Sequence, residues 1–246
     1  MKKVIKISQL KSAFTEKEKV YISLRNKEGR LLKDELVREL PKVPIGFKME
    51  KEWFKRSFTF DLLAKYITNK KSPLRIMDLG CGNGWMSGKL IELGHQVTGI
   101  DLNIKELEQA ARVFVNPSLE FLYADILDKP PLAKFDCIIL ASSIQYFQEL
   151  DILIPTLLNY LNIDGEIIIM DSHFYTNKNI ESAKNRSNIY FKKMEAIEMR
   201  NYYFHHSLDN LEKYNPKYIY KTPQTFIRKI LSPNQSVFPI LTITRK

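Results

Sequence analysis

The chain has 246 residues, 44% of them hydrophobic and 27% charged, with a formal net charge of +10 at pH 7. That composition supports a sizeable buried core and excludes collagen-like, disordered and disulfide-scaffold classes. The longest apolar runs, 137–141 and 167–170, are far too short to cross a bilayer, so no membrane span is expected.

In chain order, 8–40 reads as basic helices, Pro41-Lys42-Val43-Pro44-Ile45-Gly46 breaks them, and 50–68 predicts an amphipathic helix carrying Trp53, Phe54, Phe58, Leu62 and Tyr66. A first strand is expected at 74–79, then a glycine cluster and a helix over 85–93 stopped by Gly94. A second strand, 96–101, leads to a helix with Ile104, Leu107, Ala111 and Phe114 on one face, ended by Asn116-Pro117. A third strand is placed at 119–124 and a fourth, apolar throughout, at 135–141. A helix then runs to about Leu161 with Pro155 near its first turn, and Asp164-Gly165 turns into a fifth strand at 166–171. The tail 237–244 reads as a final strand.

The alternation predicts a doubly wound α/β sheet, with a ligand at the C-terminal strand ends beside the first strand. Residues 1–71 are expected to form an N-terminal helical lid and 72–246 the main domain, with a cap inserted at about 174–235. That insertion holds 7 of the 12 tyrosines and, with His173 just before it, three of the four histidines, a wall suited to an aromatic-lined pocket or to base stacking.

The most specific feature is Asp78-Leu79-Gly80-Cys81-Gly82-Asn83-Gly84, an acid two residues before a G-x-G-x-G at a strand-to-helix turn. Glycines there permit left-handed backbone and close approach to a ligand. The dinucleotide spacing is broken, with Trp85 or Ser87 where a third glycine would fall, which argues against a nicotinamide dehydrogenase. Asp101 closes the second strand, where a carboxylate accepts hydrogen bonds from ribose hydroxyls, and Asp125 closes the third, within reach of an adenine amino group. Each acid alone is compatible with a turn or cap; three at consecutive strand ends point to one ligand.

On these residues the chain resembles the class I S-adenosylmethionine-dependent methyltransferases over about 72–172, with support from 237–244. The glycine segment resembles their first motif, Gly99-Ile100-Asp101-Leu102 their second and Ala124-Asp125-Ile126 their third. Phe135-Asp136-Cys137-Ile138-Ile139 matches the fourth strand, while Ile163-Asp164-Gly165 departs from the usual Pro-Gly-Gly turn. The resemblance implies a Rossmann-like fold of that class, S-adenosylmethionine as cofactor and S-adenosylhomocysteine as product. By it, Gly80, Cys81, Gly82 and Gly84 hold the methionine part and Asp78 lies near its ammonium. Asp101 would bind the ribose and Leu102 flank the adenine. Asp125 and Ile126 would read the base edge, and Ala141 and Ser142 lie beside the methionine part.

Methyl transfer asks mainly for alignment and exclusion of water, with a base only if the acceptor arrives protonated. His173, after the fifth strand, is the candidate base, against its reading as a hydrogen-bonded structural residue. Trp53, Arg56, Tyr146 and His173 are candidates for the substrate pocket. His205-His206 lacks partners at zinc-like spacing, so no metal is expected.

The expected function is methylation of an O, N or C atom of a small molecule. Two alternatives stay open: an RNA methyltransferase and a non-catalytic cofactor-binding protein. Residues 1–71 carry +10, 72–173 carry −8 and 174–246 carry +8, a pattern that fits a nucleic-acid surface or lysine-rich coding bias equally. The segment Ala141-Ser142-Ser143-Ile144 lacks the Pro-Pro-aromatic signature of base-directed enzymes, leaving ribose and other RNA positions. Charges at Lys6, Lys11 and 16–19 leave no apolar signal segment, and a cytoplasmic location is expected. Cys81 and Cys137 are expected to remain unpaired.

Overall fold

The computed structural model describes residues 4–7, 12–70, 73–130, 132–222, 236 and 238–245. Before the glycine segment lie strand β1 (Ile5–Lys6) and helices α1 (Ser12–Glu28), α2 (Asp34–Glu39) and α3 (Glu50–Thr68). Then come β2 (Arg75–Leu79), α4 (Trp85–Glu92), β3 (Gln96–Asp101), α5 (Ile104–Val113) and β4 (Leu119–Tyr123). The second half of the sheet begins with β5 (Phe135–Ala141), α6 (Leu150–Asn159) and β6 (Leu161–Met170). It continues through β7 (Phe174–Tyr175), α7 (Ile180–Lys193), β8 (His206–Ser207), α8 (Asp209–Glu212), β9 (Lys217–Tyr220) and β10 (Ile240–Thr244).

Eight of these strands form one sheet in the order β1-β4-β3-β2-β5-β6-β10-β9. The first six run parallel, and β10 is antiparallel to both β6 and β9. The order reverses between β2 and β5, so the loops after these two strands part and leave a crevice at their C-terminal ends. This is the class I methyltransferase arrangement, with helices on both faces.

Strand alternation sorts the core into two layers. Ile76, Cys137, Ile139, Ile168 and Met170 face Leu63 and Ile67 of α3, Leu90 of α4 and Leu107 of α5. Their neighbours Met77, Ile138, Leu140, Ile167 and Ile169 face Leu153, Ile154 and Leu157 of α6. Both faces are covered, which is why β5 and β6 read as continuous apolar runs. Asn103 caps α5 by accepting from the Glu106 amide at 3.2 Å. Both cysteines are buried and free.

Four expectations need correction. The sheet has an edge strand, β1, ahead of the first predicted one, in a region read as helical; two residues carry too little pattern to be seen. Pro155 is the sixth residue of α6 rather than in its first turn, because the helix already begins at Leu150, after a separate 3-10 turn over Ile144–Tyr146. The fifth predicted strand starts at Leu161, not after Asp164-Gly165: pairing passes from Phe135↔Leu161 to Cys137↔Glu166, so the Asp-Gly pair lies in a bulge within β6. The insertion is not all cap, since β9 returns to the sheet edge beside β10. Residue 237, at the start of the predicted last strand, and 223–235 lie outside the described residues.

Candidate functional site

The glycine segment crosses the C-terminal end of β2. Gly80 and Gly84 adopt φ of 77° and 75°, left-handed values at which a side chain is strained. A Cβ on Gly80 would also sit 2.4 Å from Ser143 Cβ, so only glycine lets this loop lie against the loop after β5. Ser143 Oγ donates to Leu79 O at 2.7 Å and ties the two loops together.

Asp101 fixes the other side. Its Oδ2 accepts from the Gly82 amide and its Oδ1 from the Asn103 amide, each at 2.8 Å. Each oxygen keeps a second lone pair for a ligand hydroxyl. Asp125 Oδ1 accepts from the Leu127 amide at 3.0 Å, holding the turn after β4. Asp78, buried under the loop, accepts from Ser87 Oγ at 2.6 Å.

These residues line one cleft holding about 1340 Å³ of space, its solvent-open mouth included. The structure brings Asp78, Gly80, Cys81, Gly82, Asp101 and Leu102 together there with Asp125, Ile126, Ala141 and Ser142. Trp53, Arg56 and Tyr146 line it as well. Gly84 stands just behind, as the N-cap of α4. Phe54, on the same helix as Trp53, is 52% exposed and points away. His173 does not line this cleft. Asp171 turns the chain with φ 52°, and the His173 ring packs on Phe238, 4.4 Å between centroids, in a neighbouring chamber.

Sequence reasoning missed the contribution of α1. Lys17, Tyr21 and Arg25 recur every four residues, so one helical stripe faces the cleft. That i, i+4, i+8 spacing was the available signal, hidden because α1 has no apolar stripe to orient it. Glu18 of α1 accepts from the Ile104 amide at 2.9 Å, which seats α1 on the start of α5. Arg25 Nε donates to Tyr21 Oη at 2.9 Å, and the Tyr21 and Tyr146 rings meet edge to face. Arg30 grips Glu52 of α3 with two bonds of 2.7 and 2.6 Å, and Arg56 Nη2 adds a third at 3.1 Å.

Glu106 was also missed. A Cβ built on Gly82 would lie 3.3 Å from its Oε2, so this carboxylate flanks the glycine loop. Burial, then the charge of Asp101, push Glu106 up to about 7, against the pull of Arg25 and Tyr21. Burial likewise raises Asp78 to about 6 and lifts Asp101. Three crowded carboxylates thus share one wall, an arrangement that favours a cationic ligand. Glu52 behaves oppositely: burial raises it, but the Arg30 bonds and the Arg56 and Arg30 charges hold it at about 2.

Among the described residues no three His, Cys, Asp or Glu side chains gather as metal ligands, and no helix is long and apolar enough to cross a membrane.

Comparison with known proteins agrees with this geometry. The profile of a methyltransferase domain family matches residues 70–222. A malonyl-[acyl-carrier protein] O-methyltransferase of Acetivibrio thermocellus is 30% identical over 99 residues, 39% of this chain and 35% of that protein. A trans-aconitate 2-methyltransferase of Azoarcus sp. (strain BH72) is 31% identical over 111 residues, 44% of this chain and 42% of its own. The matches thus span less than half the length of these curated relatives. Magnesium protoporphyrin IX methyltransferase of Synechocystis PCC 6803, solved with bound SAH, superposes with a TM-score of 0.56 at 17% identity, covering 92% of this chain and 94% of that one. Geranyl diphosphate C-methyltransferase of Streptomyces coelicolor A3(2) gives 0.59 at 14% identity, covering 96% and 98%. The structural likenesses concern the fold, while the profile covers more than half of the chain: it belongs to the methyltransferase domain family.

Proposed function

We propose that this chain is an S-adenosylmethionine-dependent methyltransferase acting on a small-molecule acceptor. The observation that carries this reading is the convergence of the glycine loop, Asp101 and Asp125 on one cleft walled by three crowded carboxylates. The donor set fits the cofactor: Asp101 has lone pairs for two adjacent hydroxyls, Asp125 and Ile126 edge a slot for a base, and the acidic wall suits ammonium and sulfonium charge. When bound, S-adenosylmethionine supplies an activated methyl group on its sulfonium.

The protein's own part is placement and dryness. Asp101 orders the loop through Gly82 and receives the ligand at the same carboxylate. Lys17, Tyr21 and Trp53 roof the cleft from α1 and α3, limiting water near the reacting centre. Helices α1 to α3 act in this reading as the lid and the segment from β7 to α8 as the cap.

Calorimetric titration with S-adenosylmethionine, S-adenosylhomocysteine and NAD tests the proposal. Micromolar binding of the two adenosyl ligands, none of NAD, and an affinity loss of at least about tenfold in Asp101→Asn are expected. A folded sample that binds neither adenosyl ligand would overturn it.

A further inference from the structure

Beside the cofactor cleft lies a second chamber of about 1000 Å³, mouth included, at the C-terminal ends of β5 and β6. Arg56 and Ser142 line both spaces, so the chamber abuts the part of the cleft assigned to the methionine end. Gln145 lines the chamber beside them: its Nε2 donates to Ser142 O at 2.5 Å and its Oε1 accepts from Ser172 Oγ at 3.3 Å. A ligand in the chamber would therefore lie next to the methionine end of the cleft, where Arg56 and Ser142 border both spaces.

Two properties of the lining specify that ligand. The first is aromatic. His173, Tyr203 and Phe238 face the chamber. His173 is held by edge contact with Phe238 and by Tyr175 at 5.6 Å, and Tyr203 by His205 at 5.3 Å and Phe191 at 5.7 Å. Rings buttressed from behind offer a rigid slot for a flat body.

The second is charge. Lys51, Lys55 and Arg56 form the α3 side of the chamber, opposed in the lining only by Glu52 and Asp171. Glu52 is taken up by Arg30 and Arg56. Asp171 is buried: burial raises its pKa, with Arg56 and the Thr59 hydroxyl, 2.9 Å away, pulling part of the way back. His173 stays neutral, since burial and the nearby Arg186 of α7 both lower its pKa. Lys51 and Lys55 therefore set the charge of the α3 side.

We infer that this chamber is the acceptor subsite and that it takes a flat aromatic molecule bearing an anionic group, held against His173, Tyr203 and Phe238 with its charge toward Lys55. The inference rests on the methyltransferase reading for its meaning but not for its test. His173 serves here as a wall for the acceptor.

The probes are 2-naphthoate and its neutral isostere 2-naphthamide, titrated by calorimetry into the full chain with and without S-adenosylhomocysteine. Naphthoate is expected to bind about tenfold more tightly than the amide. Lys55→Glu should erase that difference and Lys55→Arg preserve it, both with unchanged S-adenosylhomocysteine affinity. Phe238→Ala should weaken both probes alike by about tenfold, as loss of a ring contact rather than of charge. Equal affinity for the two probes, or no binding of naphthoate by the folded chain, overturns the subsite. Failure of S-adenosylhomocysteine to bind while naphthoate does would instead overturn the cofactor assignment.

Discussion

Single residues in the cleft carry opposite energetic signs. Gly80 is the clearest steric case, with φ 77° and a neighbouring Cβ position 2.4 Å away. Gly80→Ala should cost about 2 kcal/mol or more in denaturant unfolding and abolish cofactor binding, because the loop must part from Ser143. Glu106 is the electrostatic case. Its folded value is raised from 4.5 to about 7, so its contribution to stability is full below pH 4.5 and is lost as pH rises through 7. Thermal melts should show Glu106→Gln gaining on the parent protein between pH 5 and pH 8; a constant offset would contradict the crowding described. A bound cation reverses the balance, so binding of S-adenosylmethionine near pH 7 should release protons, measurable in buffers of different ionisation enthalpy. The strand-end acids were legible in the sequence because strand periodicity fixes where each strand stops. Glu106 was not, since its place beside Gly82 depends on how α5 docks, a tertiary fact with no local pattern.

At the scale of elements, Glu166 shows how one side chain joins three of them. It is buried in β6 and receives Tyr66 Oη of α3 at 2.9 Å and Thr242 Oγ1 of β10 at 2.5 Å, with Lys70 Nζ at 2.7 Å. Glu166→Ala leaves the buried Thr242 hydroxyl without its acceptor and frees Tyr66 and Lys70 from β6, and should destabilise by about 2 kcal/mol, read from the urea midpoint at unchanged slope. α3 itself was readable to the residue from its amphipathic stripe, and β3 and β5 from short apolar runs bounded by polar residues. The bulge in β6 was not: Asp-Gly is a turn pair locally, and only pairing with β5 draws Asn162 through Gly165 into the strand.

For the whole molecule, the charge asymmetry takes a different meaning once the chain is folded. Lys17, Arg25, Arg30 and Arg56, all in the basic N-terminal region, line the cleft rather than an outer face. Part of the flank's charge is therefore turned inward, and a generic single-stranded RNA should bind weakly and release by about 150 mM salt. Tight binding that survives such salt would favour the RNA reading of the flanks. The doubly wound topology was legible because each strand–helix alternation obeys one handedness rule, whereas lid and cap follow no such rule.

The place of β10 in the sheet has a consequence for how the fold is reached. β9 pairs with β10, and β10 pairs with β6 some seventy residues earlier, so both must wait for a long loop to close. Until then the Ile167-Ile168-Ile169-Met170 edge of β6 stands open, an apolar template for pairing with another chain. A chain stopped after residue 236 should therefore gain light scattering during refolding, and a peptide of residues 238–246 added at once should suppress it.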